Sequence, residues 1–379
     1  MPIKVCHLTS VHKSDDIRVF QKECRSVAKD PRFQVSLLAP GESRTEAGVE
    51  VIGLGPPPSS RLKRIFFFTR FLYRKAREID ADIYHFHDPE LLPIGLKLKA
   101  LGKVVVYDSH ELTYQQILIK DYLPKAVRTM ISGLFKAYED RACQKLDAVI
   151  FPCTIKGKHP FQTVAKNCLT IGNFPDLDLY RPELDQEKSY DLCCTGSLSE
   201  ARGISSLLEA RQATGASLAL AGNFSPASYE QELDQAGLLQ GVDHIGFLSH
   251  SAVIDLVKKS RICVSNILDL GQYGQIDNLP TKVYEAMALG LPVILSAFDY
   301  ACALNEELEF CILIDPARET DLVEAIRDLL ADPEKRSRLG ENGRALVTKN
   351  FSWAKEATKL KDLYVKLLAD QTPAKQEVS

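Results

Sequence analysis

Short apolar runs alternate with helix-forming stretches along nearly all of this chain, and that alternation restricts its fold more than any other feature. The runs 3–11, 34–39, 49–54, 83–86, 103–108 and 148–151 read as strands, with helical stretches at 17–29 and 125–145 among them. Strand and helix in turn give parallel strands joined by crossover helices. The segment 171–187 carries Asn173, Pro175 and Pro182 with little periodicity and reads as a linker. A second series follows, with strands at 190–195, 217–221, 244–247, 262–266, 293–296 and 311–314. The expected fold class is therefore α/β, two tandem Rossmann-like doubly wound domains facing a cleft. The expected boundaries are 1–175 for the first domain and 176–350 for the second. A long amphipathic helix, 351–369, is expected to cross back to the first domain, and 370–379 to be a disordered tail. In such sheets ligands bind outside the carboxyl ends of the strands, so chemistry is expected there.

A chain of 379 residues exceeds one ordinary core, and 45% hydrophobic with 26% charged residues suits a soluble globular protein. The ten cysteines have no Cys-x-x-Cys pair, which argues against a zinc site or disulfide framework and for a reducing cytoplasm. The chain opens directly on a strand, so no signal peptide is expected, and no run has the length of a membrane span. Net charge is −3 but unevenly divided. Residues 1–180 hold 27 Lys+Arg against 20 Asp+Glu, and residues 181–379 hold 20 against 30. The basic first half is suited to an acidic partner, nucleic acid or anionic lipid.

The densest stretch is DNLPTKVYEAMALGLPVILSA, Asp277–Ala297. Asn278 is placed to cap a helix, Pro280 to sit near its first turn, and Gly290 to end it in a left-handed conformation. The helix start at Thr281 offers unpaired N–H groups and a favourable dipole to an anion, and Lys282 adds a mobile positive charge. Glu285, about one turn on, is placed to hold a diol. A phosphate and a diol together fit a nucleotide diphosphate; the alternative is a helix with solvated Lys and Glu. After the strand 190–195, Gly196-Ser197 begins a turn that ends at Arg202-Gly203, where the guanidinium can grip phosphate. Gly222 ends the next strand and can support a base or phosphate. Neither turn is G-x-G-x-x-G, so nicotinamide binding is not favoured.

In the first half three strand ends carry polar groups: Thr9-Ser10, His87-Asp88 and Ser109-His110-Glu111. His110 is the stronger histidine candidate, flanked by Asp108 and Glu111, whereas His85 reads as core. A basic aromatic helix spans Arg61–Arg77. Its Phe66, Phe67, Phe68 and Phe71 cannot all face one core, so it either lies on a bilayer or packs with part of its aromatic face exposed.

With these residues in place, the chain resembles a GT-B glycosyltransferase of family four, the retaining "group 1" type. The resemblance rests on G-x-L-x-x-x-R-G-I-x-x-L-x-E-A (Gly196–Ala210) and P-x-K-x-x-E-A-M-A-x-G-L-P-V (Pro280–Val293). D-I-R-V-F-x-K-E (Asp16–Glu23), H-D-P-E-L-L-P (His87–Pro93) and Y-D-S-H-E (Tyr107–Glu111) are similar to a bacterial surface-polysaccharide branch. The resemblance implies an N-terminal acceptor domain and a C-terminal nucleotide-sugar domain. It implies sugar transfer without a bound metal or other cofactor. Arg202 and Lys282 would hold the diphosphate, Glu285 the ribose and His110 the donor sugar. Asp277 stands where the family often has Glu, and Gly196-Ser197 where it has Gly-Arg. The catalytic set is then His110, Arg202, Lys282 and Asp277. The donor set is Gly196, Ser197, Arg202, Gly222, Asn278, Leu279, Thr281, Lys282 and Glu285. The expected partners are a nucleotide diphosphate sugar, a saccharide or lipid-linked saccharide acceptor and an anionic membrane surface, with no nucleic acid. The expected location is the cytoplasm, peripheral on the inner face of the plasma membrane. The alternatives are a nucleotide-sugar 2-epimerase of the same fold and, in another class, a basic nucleic-acid-binding protein.

Overall fold

The computed structural model describes all residues except 58–59, 61–62, 120–123, 184–185, 270–273 and 372–379. The expected tail beyond Gln371 and the Arg61 end of the basic helix lie outside the described residues. The chain forms two compact units. One comprises Met1–Asn173 together with the chain from Ala354 onward, and the other Phe174–Trp353.

The first unit is built on β1 (Ile3–Leu8), β2 (Phe33–Ala39), β3 (Arg44–Glu46), β4 (Val49–Gly53), β5 (Ile83–Phe86), β6 (Val104–Asp108), β7 (Ala148–Phe151) and β8 (Cys168–Thr170). They make an eight-stranded sheet in the order β3-β4-β2-β1-β5-β6-β7-β8. The sheet is parallel except for β3, a short edge strand antiparallel to β4. β5, β6 and β7 are buried along their whole length, because helices cover both faces, and such strands read as unbroken apolar runs. Two histidines interrupt this pattern. His7 on β1 and His85 on β5 lie opposite each other in register and are fully buried.

The second unit holds β9 (Tyr190–Thr195), β10 (Leu218–Ala221), β11 (Asp243–Gly246), β12 (Ser260–Ser265), β13 (Val293–Ser296) and β14 (Cys311–Ile314). Their order, β11-β10-β9-β12-β13-β14, is that of a Rossmann domain, with the topological switch between β9 and β12. In the first unit the same switch lies between β1 and β5. The helix Thr281–Ala288 buries Val283, Tyr284, Ala286, Met287 and Ala288 in one of the unit's cores. The two-domain α/β fold expected from the alternation is the fold observed.

Local differences have identifiable causes. The stretch read as one helix over 17–29 is π-helical from Ile17 to Cys24 and α-helical only over Arg25–Ala28. Asp16 caps it, its side chain accepting from the N–H groups of Arg18 and Val19. Hydrogen bonds of i→i+5 type widen the turn, which puts Arg18, Lys22 and Glu23 on one buried side. In the basic helix Phe68 and Leu72 pack inward while Phe66, Phe67 and Phe71 are exposed, as the helical period requires. The last helix, Trp353–Ala369, adds to the first unit from Ala354. Its Glu356 accepts the Gly172 N–H at 2.8 Å, and its Tyr364 hydroxyl lies 2.6 Å from His85 Nδ1.

Gly290 adopts φ +73°, ending the turn after helix Thr281–Ala288 in the left-handed region. The helix Pro333–Asn350 crosses that turn so closely that a Cβ on Gly340 would lie 2.0 Å from the Gly290 carbonyl oxygen. Gly340→Ala should therefore push two backbones apart at a cost of about 1–3 kcal/mol. Urea unfolding of the variant should show a lowered midpoint with the slope unchanged.

Candidate functional site

In the second unit the sequence candidates gather at the carboxyl ends of β9 and β10 and the start of the helix that follows β12. Gly196, exposed, follows β9, and Gly222 follows β10. The two backbones nearly touch, since a Cβ on Gly222 would lie 1.7 Å from the Gly196 carbonyl oxygen, and Gly222 has φ +146°. Ser197 is exposed beside them. Arg202 ends a single 3₁₀ turn, Glu200–Arg202, and is half-buried. Asn266, just beyond β12, secures the next residue: its Nδ2 donates to the Gly203 carbonyl at 2.8 Å and to Ser206 Oγ at 3.2 Å. Its Oδ1 is buried with no partner among the described residues.

Two expectations about the helix start need correction. Asn278 does not cap it; its Oδ1 accepts from the Tyr284 hydroxyl at 2.9 Å. Pro280 is itself the capping residue, and no side chain caps the helix, which begins at Thr281. Lys282 is not a mobile surface charge. It is 9% exposed, and its Nζ donates to Cys194 Sγ at 3.3 Å near the end of β9. A thiol is a weak acceptor, so this buried ammonium is poorly satisfied among the described residues. Leu279 is a core side chain whose N–H donates to the Tyr284 hydroxyl at 3.2 Å. Asp277 is half-buried at the end of the short extended segment Ile276–Asp277.

Glu285 has neighbours that no motif marked. The Tyr180 hydroxyl donates to its Oε1 at 2.7 Å, and His250 Nε2 lies 2.7 Å from that hydroxyl and 4.0 Å from the carboxylate. Burial and the adjacent Glu285 charge push the Tyr180 hydroxyl well above its usual value. Tyr180 stands 105 residues before Glu285, in the segment read as a linker, so no spacing argument reaches it.

In the first unit His110 is half-buried just after β6, its Nε2 3.2 Å from Asp108 Oδ2 and 3.3 Å from His87 Nδ1. Asp108 is thus the residue that orients it; Glu111 is exposed, and its carbonyl accepts the Ser109 hydroxyl at 3.1 Å. His87 and Asp88, read as a polar strand end, are buried rather than exposed. The Asp88 carboxylate accepts Thr9 Oγ1 at 2.8 Å and the Ser10 N–H at 2.6 Å, which ties the ends of β1 and β5 together.

Arg18, which the sequence did not mark as a site residue, holds this constellation. Its Nε and Nη2 reach the fully buried Asp108 carboxylate at 3.1 and 2.9 Å. Burial alone would raise the Asp108 carboxyl, but the Arg18 guanidinium and then His110 hold it well below the ordinary carboxylate range. A carboxylate depressed in the folded state contributes stability above its unfolded value near ~4, and that contribution is lost as pH falls toward the folded value. Arg18→Met leaves Asp108 buried without its cation and should cost about 3–5 kcal/mol near neutral pH. Because acid neutralises the orphaned carboxylate, the gap between variant and wild type in urea unfolding should narrow from pH 7 toward pH ~4.

Comparison with known proteins agrees with this architecture. Residues 178–346 match the family described as "Glycosyl transferases group 1", and residues 22–155 match "Glycosyltransferase Family 4". A curated relative, spore coat protein SA of Bacillus subtilis (strain 168), is 31% identical over 140 residues, which is 37% of this chain and 36% of that protein. The match thus spans little more than a third of that relative's length. Among solved structures, sucrose-phosphate synthase from Thermosynechococcus elongatus superposes with a TM-score of 0.77 at 19% identity, covering 97% of this chain and 100% of the other. HepE from Anabaena, solved in complex with UDP and glucose, gives a TM-score of 0.69 at 16% identity, covering 96% and 100%. The family matches in both halves, the strand order of each unit and the fold of these neighbours agree: this chain belongs to the group 1, family four glycosyltransferases and has the GT-B fold.

Proposed function

We propose that this protein transfers a sugar, with retention, from a nucleotide diphosphate sugar to a saccharide acceptor linked to lipid at an anionic membrane. The observation that carries the donor half is Lys282, a buried ammonium at the first turn of a helix whose described hydrogen bond is to a thiol. A diphosphate there would receive the Lys282 ammonium and the free N–H groups around Thr281. Arg202, beside Gly196 and Ser197 on the opposite strand end, would supply the second cation. Together they would neutralise the charge that develops on the departing diphosphate, with no metal bound to it. Glu285, positioned by Tyr180, would accept from the ribose hydroxyls. The backbone contact at Gly222 would leave room for the nucleotide beside Gly196. His110, fixed by Asp108, is assigned to the donor sugar, and Asp277 to a further sugar contact. A neighbour solved with UDP and glucose makes UDP-glucose a sensible first donor.

The test is a donor panel scored by release of the nucleotide diphosphate in the presence of saccharide acceptors, without added divalent cation. Lys282→Ala and Arg202→Ala should each lower kcat/KM about ten- to a hundredfold, as loss of a charge-assisted bond of roughly 1.5–3 kcal/mol requires. Glu285→Ala should raise the donor KM with the fold intact. Turnover within about twofold of wild type in both cation variants would remove the phosphate assignment. Conversion of the nucleotide sugar to its epimer without acceptor would point to the epimerase instead.

Membrane attachment rests on two exposed apolar surfaces of the first unit. The basic helix exposes Phe66, Phe67 and Phe71 beside Arg70 and Arg74, whose guanidinium lies 5.3 Å from the Phe71 ring. The helix Lys125–Cys143 exposes Val127, Met130, Ile131, Leu134 and Tyr138 at helical spacing. Arg64 is not part of the basic face, since its Nε pairs with Glu90 Oε1 at 2.7 Å. No described helix is long and apolar enough to cross a membrane, so attachment would be peripheral. Each basic residue contributes about 1 kcal/mol near an anionic surface and each inserted Phe roughly 1.5–3 kcal/mol. The protein should co-sediment with phosphatidylglycerol vesicles and not with neutral ones, reversibly with salt. Phe67→Ser with Arg70→Glu and Arg74→Glu should abolish sedimentation while donor turnover in solution is kept. A wild type that stays in the supernatant at low salt would end the membrane proposal.

A further inference from the structure

Four buried side chains outside the donor machinery converge on one point beneath the switch of the first sheet. They are His7 on β1, His85 and His87 on and just after β5, and Glu23 on the π-helical turn, all of them 2% exposed or less. Glu23 Oε2 lies 3.8 Å from His7 Nδ1, 3.8 Å from His85 Nδ1 and 3.8 Å from His87 Nε2. His7 Nδ1 and His87 Nε2 are 3.0 Å apart. A contact of 3.8 Å is too long for a hydrogen bond. Bonds of about 2.0–2.1 Å in a tetrahedron set ligand atoms roughly 3.3 Å apart, so the Glu23 contacts would each shorten by about half an ångström around an ion. One ligand atom from each of the four residues fits within a sphere of contacts no longer than 4.8 Å.

Glu23 supplies the independent sign that something belongs there. Both of its oxygens are buried and have no hydrogen-bond partner among the described residues. Arg18 Nε approaches Oε1 at 3.1 Å, an ionic contact without hydrogen-bond geometry, and leaves Oε2 aimed at the three imidazoles. A buried carboxyl facing three imidazole nitrogens beyond bonding distance is relieved either by a proton or by a cation between them, and the imidazoles favour the cation.

The surrounding contacts also suit a metal site. With His87 ligating through Nε2, its Nδ1–H faces Asp108 Oδ2 at 3.5 Å, the carboxylate–histidine–metal arrangement. With His7 ligating through Nδ1, its Nε2–H faces the Tyr364 hydroxyl at 3.3 Å, and that hydroxyl, now 2.6 Å from His85 Nδ1, would turn to His7 when His85 ligates. A second grouping, His87, Asp108 and His110, also has close ligand atoms, but Arg18 already occupies the Asp108 carboxylate. We therefore propose that His7, Glu23, His85 and His87 bind one divalent transition-metal ion of the zinc class. The ion is structural: it pins β1, β5 and the π-helical turn to one another. It also fixes the His87 tautomer, so that Nδ1–H is presented to Asp108 and His110. It is separate from donor binding, which the preceding proposal assigns to Lys282 and Arg202.

The full chain, expressed in medium supplemented with zinc and freed of loose metal by gel filtration, should carry about one equivalent of zinc by elemental analysis. Expression with cobalt in place of zinc should give the visible ligand-field bands of a tetrahedral nitrogen–oxygen site, without the charge-transfer band of a thiolate. Glu23→Gln and His85→Asn should each lose the metal and the cobalt bands, with circular dichroism checking that the variants fold. Should both variants fail to fold, the wild-type cobalt spectrum and metal content decide alone. Wild type without bound zinc or cobalt would overturn the proposal. So would a thiolate band, which would put the metal on cysteines, or folded variants that keep their metal.

Discussion

A charge at the carboxyl end of a buried parallel strand has no water to solvate it, and the polar architecture of this protein follows from that constraint. In the first unit the charge is Asp108, fully buried at the end of β6. Its stability as a carboxylate depends on Arg18, delivered from a different element by the widened turn Ile17–Cys24. With Asp108 paired, its remaining acceptor capacity orients His110 and His87. Asp88 plays a similar part next door, where hydroxyl and amide donors from Thr9 and Ser10 satisfy it. The crevice at the strand switch is thus lined by groups whose positions are dictated by each other rather than by solvent.

The second unit meets the same constraint differently. Lys282 is carried inward by a helix that buries Val283, Tyr284, Ala286, Met287 and Ala288, and its ammonium is left near the end of β9 with a thiol as partner. Asn266 and Gly222 shape the backbone around it, the first by hydrogen bonding the Gly203 carbonyl, the second by lacking a Cβ. A cation whose described partner is a thiol, at the start of a helix without a side-chain cap, is suited to an anion, whereas the fully paired Arg18 is suited to holding a scaffold. The two cations are both buried and basic, and they differ in how fully the protein pairs them.

Much of this was legible in the chain. The apolar runs and the helices between them specified two doubly wound domains, because strands covered on both faces need continuous apolar residues. The Pro280–Val293 and Gly196–Ala210 motifs marked the stretches that come together at the carboxyl ends of the second sheet. What was misread concerned single side chains. Asn278 has the chemistry of a cap, yet Tyr284, six residues on, takes its side chain instead. Lys282 has the look of a surface charge, yet it is buried together with Val283 and Tyr284, which follow it in the helix. The widened turn at Ile17–Cys24 differs from the expected α-helix in its i→i+5 hydrogen bonds and so in which residues it turns inward.

The sequence by itself determined the fold class and the family, because these depend on local periodicity and on motifs contiguous in the chain. Only the tertiary structure decided which distant groups meet. Tyr180 reaches Glu285, Arg18 reaches Asp108, and Tyr364 from the last helix reaches His85. Of His7, Glu23, His85 and His87 only His85 and His87 are close in the chain, two residues apart at the end of β5, while the other two come from β1 and a helical turn. Parallel strands bring residues from far apart in the chain into register, as His7 and His85 are. A ligand set assembled across such a sheet leaves no local pattern to read.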